Sequence, residues 1–269
     1  MQTQQPTTPQ LQQNFNPVKD LDYLLTRLVT KYNPLQILSF NHICEKKQLK
    51  GCFGTAEEEI SNAYYLLMVT EDSKRIENSV QDFSTAHYDK GEVIIIVHGK
   101  QAIDKSISEG DRFFRTVYQQ GKLLYSMDSF HWNSSFEIPD INHNKEVKNQ
   151  HFDRGMMRAR GFFNCAKESL ASSDLQVCAF LLHQAVEQYC IASISLHMEY
   201  RCNIHNLYRL VMLSRCFTEN LYKIFLSTDA DQQLFKKLTQ GYIGCRYRSD
   251  FDISIEDLKK LVCRINRVL

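Results

Sequence analysis

Two groups of polar residues in the C-terminal half of this 269-residue chain could bind a ligand or act on one. His183 and Glu187 are four residues apart in an apolar stretch, so on a helix they share one side and could hydrogen-bond each other or a common ligand. Farther along the chain, Arg246 and Arg248 flank Tyr247. Two guanidinium groups can grip a phosphate with paired hydrogen bonds, and a tyrosine ring can stack on a base. The chemistry that these residue types favour is the binding of a phosphate or a nucleotide.

The arginine group has two interpretations. If the segment is extended, both guanidinium groups point to one side and Tyr247 points to the other. The arginines then converge on a phosphate, and His205, near a helix start where backbone N–H groups favour an anion, is a possible third donor. In the alternative, the arginines pair with Asp250 and Asp252 in a loop before the final helix.

The pair of His183 and Glu187 also has two interpretations. A metal ion would need further ligands, for which Cys190 and His197 on the same helix are candidates. A core histidine that is hydrogen-bonded to a glutamate needs no further partner, and it is the interpretation that we favour.

Residues 178–210 must position His183, Glu187 and His205. They are predicted to form a long helix, a polar turn and the start of a second helix. Asn203 or His205 is predicted to cap the second helix, which opens at Asn206. Residues at steps of three and four predict the buried face of the first helix: Ala179, Leu182, Ala185, Val186, Tyr189 and Ser193.

Three segments carry a resemblance to a known family. They are the run Leu-His-Gln-Ala-x-Glu-Gln at 182–188, the turn His-Asn-Leu at 205–207, and residues 242–248. Together they resemble the HEPN family, the "higher eukaryotes and prokaryotes nucleotide-binding" domains, over roughly residues 152–269. The resemblance implies an antiparallel bundle of four or five helices that usually dimerises.

Many members of that family are ribonucleases that use an arginine followed, four to six residues later, by a histidine. The corresponding place here is the segment 246–252, and no histidine follows His205. Asp250 would be a poor substitute, because a carboxylate repels a phosphate. The resemblance therefore implies binding without cleavage, and no catalytic residue is assigned.

The N-terminal half is predicted to be a mixed α/β unit, with a sheet that is covered by helices. Residues 45–59 are rich in charge and contain two glycines, which predicts a loop or an irregular hairpin. Apolar periodicity predicts a helix at 21–32, strands at 35–40, 64–69, 93–97 and 123–125, and further helices between the last three strands.

An α/β unit ahead of a HEPN-like bundle resembles the polymerase-β-type nucleotidyltransferase domain. In that family a Gly-Ser turn holds the triphosphate, and carboxylates on the following strands bind two metal ions. The nearest match to the turn is Gly54-Thr55, Asn62-Ala63-Tyr64 stands where Asp-x-Asp is expected, and residues 93–97 lack a third carboxylate. Because Mg²⁺ requires oxygen ligands, the resemblance implies a degenerate domain without catalysis and without a metal site.

The fold class is therefore α+β, with an N-terminal nucleotidyltransferase-like sheet domain followed by an all-α, antiparallel, HEPN-like helical bundle. We expect a disordered Gln-rich tail at residues 1–17, the α/β domain at 18–127, a linker at 128–150 and the bundle at 151–269. The linker is predicted from a shift in composition towards Asn, Ser and His with little periodicity.

The composition narrows the functional classes. A formal net charge of +1 argues against non-specific binding to nucleic acid, which depends on many basic contacts to phosphates. The nine cysteines are scattered without a C-x-x-C pair, which indicates reduced residues of a cytoplasmic protein. No apolar run approaches the ~18 residues of a membrane span, and the N-terminus lacks the order of a secretion signal.

The sequence favours a non-catalytic, dimeric module that binds a nucleotide, either ATP or GTP, or RNA. Its expected ligand-binding residues are Arg246, Tyr247, Arg248, His205, His183 and Glu187, and no cofactor is indicated. One alternative is a HEPN-type ribonuclease or a nucleotidyltransferase that uses non-standard residues. Another is a structural or interaction protein that has no nucleotide ligand.

Overall fold

The computed structural model describes residues 20–49, 57–72, 75–109, 111–128, 141–247 and 250–269. The predicted tail at 1–17, the Gly54-Thr55 turn and Arg248 lie outside the described residues. The sheet region comprises α1 (Leu21–Tyr32), β1 (Gln36–Leu49), β2 (Glu57–Thr70), α2 (Glu77–Ala86), β3 (Gly91–Gly99), α3 (Lys100–Ser108), α4 (Arg112–Gln120) and β4 (Lys122–Ser126). The helical region comprises α5 (Ile141–Ala171), α6 (Leu175–Met198), α7 (Leu207–Ser214), α8 (Asn220–Phe225), α9 (Asp229–Tyr247) and α10 (Ile255–Ile265).

The four strands form one mixed sheet in the order β3-β2-β1-β4. Strand β2 pairs with β3 in parallel, with α2 as the crossover, and β1 pairs in antiparallel fashion with both β2 and β4. The predicted mixed sheet with covering helices is therefore confirmed.

The first two strands are longer than their apolar segments. The sequence predicts a loop or an irregular hairpin over 45–59, but residues 45–49 and 57–59 continue the ladder of β1 and β2. The prediction followed apolar residues, whereas an antiparallel pair is held by backbone hydrogen bonds and can extend with polar residues.

The sheet is apolar on both faces. On one face, Leu24 and Leu28 of α1 and Val80 of α2 pack against alternate strand residues such as Met68 and Ile95. On the other face, residues such as Ile96 belong to a continuous core that includes α3, α4 and the helical region. The helical region thus packs directly onto the sheet.

Arg209 of α7 ties the helical region to the sheet region through polar contacts. Its side chain is buried, and one Nη atom donates to Glu77 Oε1 at 2.7 Å and to the Ile95 carbonyl at 2.8 Å. A buried guanidinium is costly unless it is paired and hydrogen-bonded, so these partners fix the position of α7 against β3.

Helix α6 is the centre of the helical region and packs against α5, α7, α9 and α10. By length and composition alone it could cross a membrane, although it contains no uninterrupted apolar run of that length. Most of the helix is buried inside the protein, which is the arrangement of a core helix.

Capping side chains set several helix starts. Asp20 accepts from the Tyr23 N–H at 2.9 Å, and Ser254 accepts from the Asp257 N–H at 3.2 Å. The predicted cap of α7 is wrong, because Asn206 itself accepts from the Arg209 N–H at 3.1 Å and the helix starts one residue later. Asn206 is the better-placed side chain, since a capping oxygen reaches the N–H two or three residues on.

Helix α5 begins at Ile141, within the range 128–150 that the sequence predicts as a linker. Residues 141–150 are therefore helical. The helix continues to Ala171, so the polar first turns and the apolar later turns, including Phe163 and Ala166, form one element.

Candidate functional site

The candidate site lies where α9 crosses α6. Gly241 permits a close approach there, since a Cβ at this position would stand 3.1 Å from the Cβ of Ala179. That distance is tighter than ordinary van der Waals contact, so a side chain would push the helices apart. The approach brings Tyr242 of α9 against His183 of α6.

His183 is buried beneath an aromatic ring. Its side chain is 3% exposed, and its imidazole stacks on the Tyr242 ring with the ring centres 4.8 Å apart. Burial, followed by the nearby positive charge of Arg246, lowers the pKa of His183 from 6.5 to about 4. His183 is therefore neutral at physiological pH.

Glu187 lies one turn along α6, and its buried carboxylate has two hydrogen-bond donors. His205 Nδ1 is 3.0 Å from Oε1, and Gln184 Nε2 is 3.3 Å from Oε2. The direct hydrogen bond to His183 that the sequence suggested does not form, because His183 Nδ1 is 3.7 Å from Oε2. Gln184 bridges the two residues instead, since its Nε2 is also 3.3 Å from His183 Nδ1.

His205 couples this buried pair to the surface. Its side chain is 71% exposed, and because a carboxylate only accepts, its Nδ1 donates to Glu187. The other ring nitrogen, Nε2, is then left to a ligand or to solvent. An imidazole held through Nδ1 by a carboxylate is suited to donating a hydrogen bond or moving a proton.

Arg246 lies at the opposite end of the cluster, on the last turn of α9. Its guanidinium carbon is 4.0 Å from the centre of the Tyr242 ring and 5.0 Å from that of Tyr247, and Nε donates to the Tyr242 carbonyl at 3.0 Å. Among the described residues none accepts from Nη1 or Nη2, and neither Asp250 nor Asp252 pairs with Arg246.

The expectation of an extended segment is wrong for Arg246 and Tyr247, because both are helical. The C-terminus of a helix favours a cation, and the side chain of Arg246 folds back one turn to pack on Tyr242. Tyr247 is 74% exposed. Arg248 lies outside the described residues, so its place relative to this cluster stays a prediction.

One chain of contacts thus runs through six residues, which we call the α6–α9 cluster: Arg246, Tyr242, His183, Gln184, Glu187 and His205. Sequence reasoning missed Tyr242 and Gln184. The spacing of Tyr242, four residues before Arg246, is the signal that could have identified it once the segment is helical.

The strand positions at which the resemblance to a nucleotidyltransferase implied carboxylates carry other side chains. Asn62 Oδ1 is 2.9 Å from His42 Nε2, and the His42 ring stacks on Tyr64 with the centres 4.3 Å apart. Neither side chain is an anionic oxygen ligand of the kind that Mg²⁺ prefers.

Two further residues of α6, His197 and Cys190, were candidate metal ligands, and the structure shows what surrounds each of them. His197 stacks on Phe217 with the ring centres 4.5 Å apart, and burial raises the pKa of the Cys190 thiol. Within the described ranges, no three His, Cys, Asp or Glu side chains group together in a way that could hold a metal ion.

Comparison with known proteins identifies the helical region. No curated protein matches the chain. The model of the HEPN domain matches residues 154–269, which begin within α5 and include the whole α6–α9 cluster. The sequence resemblance covered nearly the same range, and the chain therefore carries a HEPN domain over residues 154–269.

Proposed function

We propose that this HEPN-domain protein is a dimeric, non-catalytic module that binds a nucleotide, with the phosphates at the α6–α9 cluster. The observation that carries the proposal is the state of Arg246. Its guanidinium packs on Tyr242, has no carboxylate partner among the described residues, and belongs to an exposed residue. Such a group is preorganised for a phosphate oxygen pair.

His205 supports the same proposal from the other end of the cluster. Its exposed imidazole is held by buried Glu187, and its free Nε2 can accept from, or when protonated donate to, a ligand. His183 contributes no charge of its own, because its pKa is about 4. Its role in this proposal is to support the Tyr242 ring on which Arg246 lies.

Tyr247 offers a surface for a base. Its ring is 74% exposed and lies next to the Arg246 guanidinium. Stacking of a base on an aromatic side chain contributes about 1–3 kcal/mol in single-stranded nucleic-acid complexes. One arginine and one exposed ring can contact the phosphate and the base of a mononucleotide, and Arg248 would add a second cation.

The proposed dimer forms through the bundle. Ile243 of α9 is 51% exposed, so its apolar side chain is accessible to a second copy of the chain. A closed homodimer that covers Ile243 is the simplest arrangement, and it would bring the clusters of two protomers near each other.

Calorimetric titration of ATP and GTP into the full chain tests the binding proposal. Charge-assisted hydrogen bonds contribute about 1.5–3 kcal/mol each, so Arg246→Ala should weaken binding roughly tenfold to a hundredfold. Arg246→Lys should recover only part of this, since a lysine cannot form the paired contact. Arg27→Ala, which removes an exposed arginine from α1, is the matched control and should bind as the wild type does.

Two outcomes would contradict the proposal. If neither nucleotide produces heat with the wild type, the nucleotide proposal fails, and the interaction-protein alternative is favoured. If Arg246→Ala lowers the melting temperature but leaves affinity unchanged, Arg246 only stabilises the end of α9.

The contact between His205 and Glu187 favours a second candidate function, a ribonuclease with a non-standard base. An imidazole oriented by a buried carboxylate can transfer protons, and Arg246 could stabilise phosphate charge. Cleavage of single-stranded RNA that is lost in both His205→Ala and Arg246→Ala would establish it. The binding proposal expects cleavage to stay at background in the wild type.

A further inference from the structure

Helix α5 contains two glycines, and only one of them has a reason within the described part of the chain. Gly155 faces α6, where a Cβ would stand 2.6 Å from the Cβ of Ala192. Gly161 is exposed, and a Cβ there would meet nothing within 4 Å. Because glycine destabilises the interior of a helix relative to alanine, no contact among the described residues explains Gly161. A close approach by a second molecule would explain it.

Gly161 lies at the centre of the exposed side of α5. Ala159 and Phe163, two residues before and after it, are buried, and two residues correspond to about 200° around a helix. The residues of the two turns before and after Gly161 that lie within about 60° of it are all exposed. Together with Gly161 they form what we call the α5 face: Arg154, Met157, Arg158, Asn164, Cys165 and Glu168.

The α5 face is self-complementary in charge about Gly161. Arg154 precedes Gly161 by as many residues as Glu168 follows it. A two-fold axis at Gly161 would make two α5 helices antiparallel and would place Arg154 of each copy beside Glu168 of the other. The same axis would place Met157, which is 72% exposed, beside Cys165 of the other copy. In a parallel pair like charges would meet, so the charges favour the antiparallel arrangement.

Arg154 and Glu168 are both available for such a contact. Both are exposed, and neither forms an ion pair with a described residue. They cannot pair within one copy, because about four turns of helix, or about 21 Å, separate them on α5. Exposed ion pairs contribute little affinity, but they select one orientation over another. A single helix face also buries less than the roughly 1,000 Å² of a stable interface, so the contact is weak.

Helices α5 and α9 pack on opposite sides of α6. Gly155 of α5 lies against Ala192, whereas Tyr242 of α9 stacks on His183. About two and a half turns of α6 separate His183 from Ala192, so these two residues point in opposite directions. A dimer that covers Ile243 of α9 would therefore use a different side of the helical region from the α5 face.

We propose that the α5 face is a second, weaker self-association surface, at which two copies of the chain pair through antiparallel α5 helices that cross at Gly161. The glycine lets the two helix backbones approach closely, and an ion pair between Arg154 and Glu168 lies on each side of the crossing. Together with the dimer that covers Ile243, this pairing joins dimers to one another as the concentration rises. It depends neither on nucleotide binding nor on that dimer.

Cysteine crosslinking of the full chain locates the axis. In a Cys165→Ser background, which removes the thiol of the α5 face, Gly161→Cys places one thiol of each copy at the two-fold axis. Two thiols at such a crossing lie within reach of a disulfide. We expect diamide to crosslink Gly161→Cys several-fold more than Lys167→Cys, at an exposed position of α5 outside the face. Equal yields of crosslinked dimer from the two variants would overturn the proposal.

Charge reversal tests the predicted partners. Sedimentation of the full chain from micromolar concentration to about 1 mM should show a mass that rises above its micromolar value. Arg154→Glu brings carboxylates together and should weaken this association at least tenfold, and adding Glu168→Arg should restore it. Lys167→Glu makes the same change of charge outside the face and should associate as the wild type does. A double variant that stays as weak as Arg154→Glu would refute the predicted pairing.

Gly161→Leu separates the interface from the fold. Leucine favours a helix more than glycine does, so this variant should melt at a higher temperature than the wild type. Its side chain should also keep the two helices apart and abolish the rise in mass. Association equal to that of the wild type would contradict the close approach, and a lower melting temperature would show that Gly161 has a reason within the chain itself.

The two self-association surfaces can fail separately. Ile243→Glu should still crosslink through Gly161→Cys, and Arg154→Glu should still be a dimer at micromolar concentration and bind ATP and GTP as the wild type does. Crosslinking in a chain that is monomeric at micromolar concentration would refute only the dimer that covers Ile243. A micromolar dimer that neither crosslinks at residue 161 nor gains mass at high concentration would refute only the pairing through α5.

Discussion

The guanidinium of Arg246 lies 4.0 Å from the centre of the Tyr242 ring, four residues earlier on the same helix, and the same ring stacks on His183 of α6 with the ring centres 4.8 Å apart. The aromatic ring thus links an exposed cation to a buried, neutral imidazole. This relationship makes the orientation of Arg246 depend on α6 as well as on α9.

Substitutions of Tyr242 should distinguish the contribution of its ring to nucleotide binding from that of its hydroxyl. Tyr242→Phe keeps the stacked ring and should leave ATP affinity unchanged. Tyr242→Leu removes the cation–π contact, which contributes about 0.5–1 kcal/mol at exposed sites, and should weaken binding roughly two- to fivefold. Calorimetric titration measures both. Equal losses in the two variants would show that the hydroxyl, and not the ring, matters.

The stability of the protein should fall with acid between about pH 6.5 and pH 4. The pKa of His183 is about 4 in the folded chain because of burial, against 6.5 for an exposed histidine. The unfolded chain therefore binds more protons in this window, and protonation favours unfolding. The full effect of one such histidine is about 3 kcal/mol, and His98, with a pKa of about 4, adds a second contribution.

Urea unfolding at pH 7, 6, 5 and 4.5 measures this dependence. His183→Gln should lower the free energy of unfolding at pH 7, because it loses the stacked ring, but its stability should decline less steeply as the pH falls. His151→Gln, at an exposed position of α5, is the control and should follow the wild type. Parallel curves for the wild type and His183→Gln would contradict the assignment.

Light scattering should give twice the mass of the chain at micromolar concentration. Ile243→Glu places a charge on the exposed apolar face of α9 and should yield a monomer. Leu123→Glu is a matched control in the sheet region, where Leu123 is 52% exposed, and should remain dimeric. A monomeric wild type would remove the dimer from the proposal.

No metal-dependent nucleotidyl transfer is expected from the sheet region. Asn62 and Tyr64 occupy the positions at which the sequence resemblance to a nucleotidyltransferase implied paired carboxylates for Mg²⁺, and both contact His42. Labelled ATP or GTP should therefore not be incorporated into protein or RNA with Mg²⁺ or Mn²⁺. Incorporation that is lost on chelation would overturn this prediction and revive the nucleotidyltransferase alternative.

Much of the fold follows from local patterns. The spacing of apolar residues identifies α1 and the core face of α6, and the uninterrupted run Val93–Val97 identifies a strand that is buried on both faces. Ser254 marks the start of α10, because a capping hydroxyl needs only residues within reach along the chain. The HEPN motifs likewise are contiguous segments, which is why the sequence alone could indicate the domain.

The tertiary structure decided what no local pattern contains. The sequence places the pair His183 and Glu187 far from His205 and Arg246. Only the packing of α9 and of the segment before α7 around α6 joins them, through Tyr242 and hydrogen bonds. Arg246 lies in the last turn of α9, which continues to Tyr247. The alternation of arginine and tyrosine in the sequence had suggested an extended segment instead. The periodicity of apolar residues shows which face of a helix or strand is buried. It does not show which residues pack against that face, because those contacts depend on how the helices and strands pack and join residues that are distant along the chain.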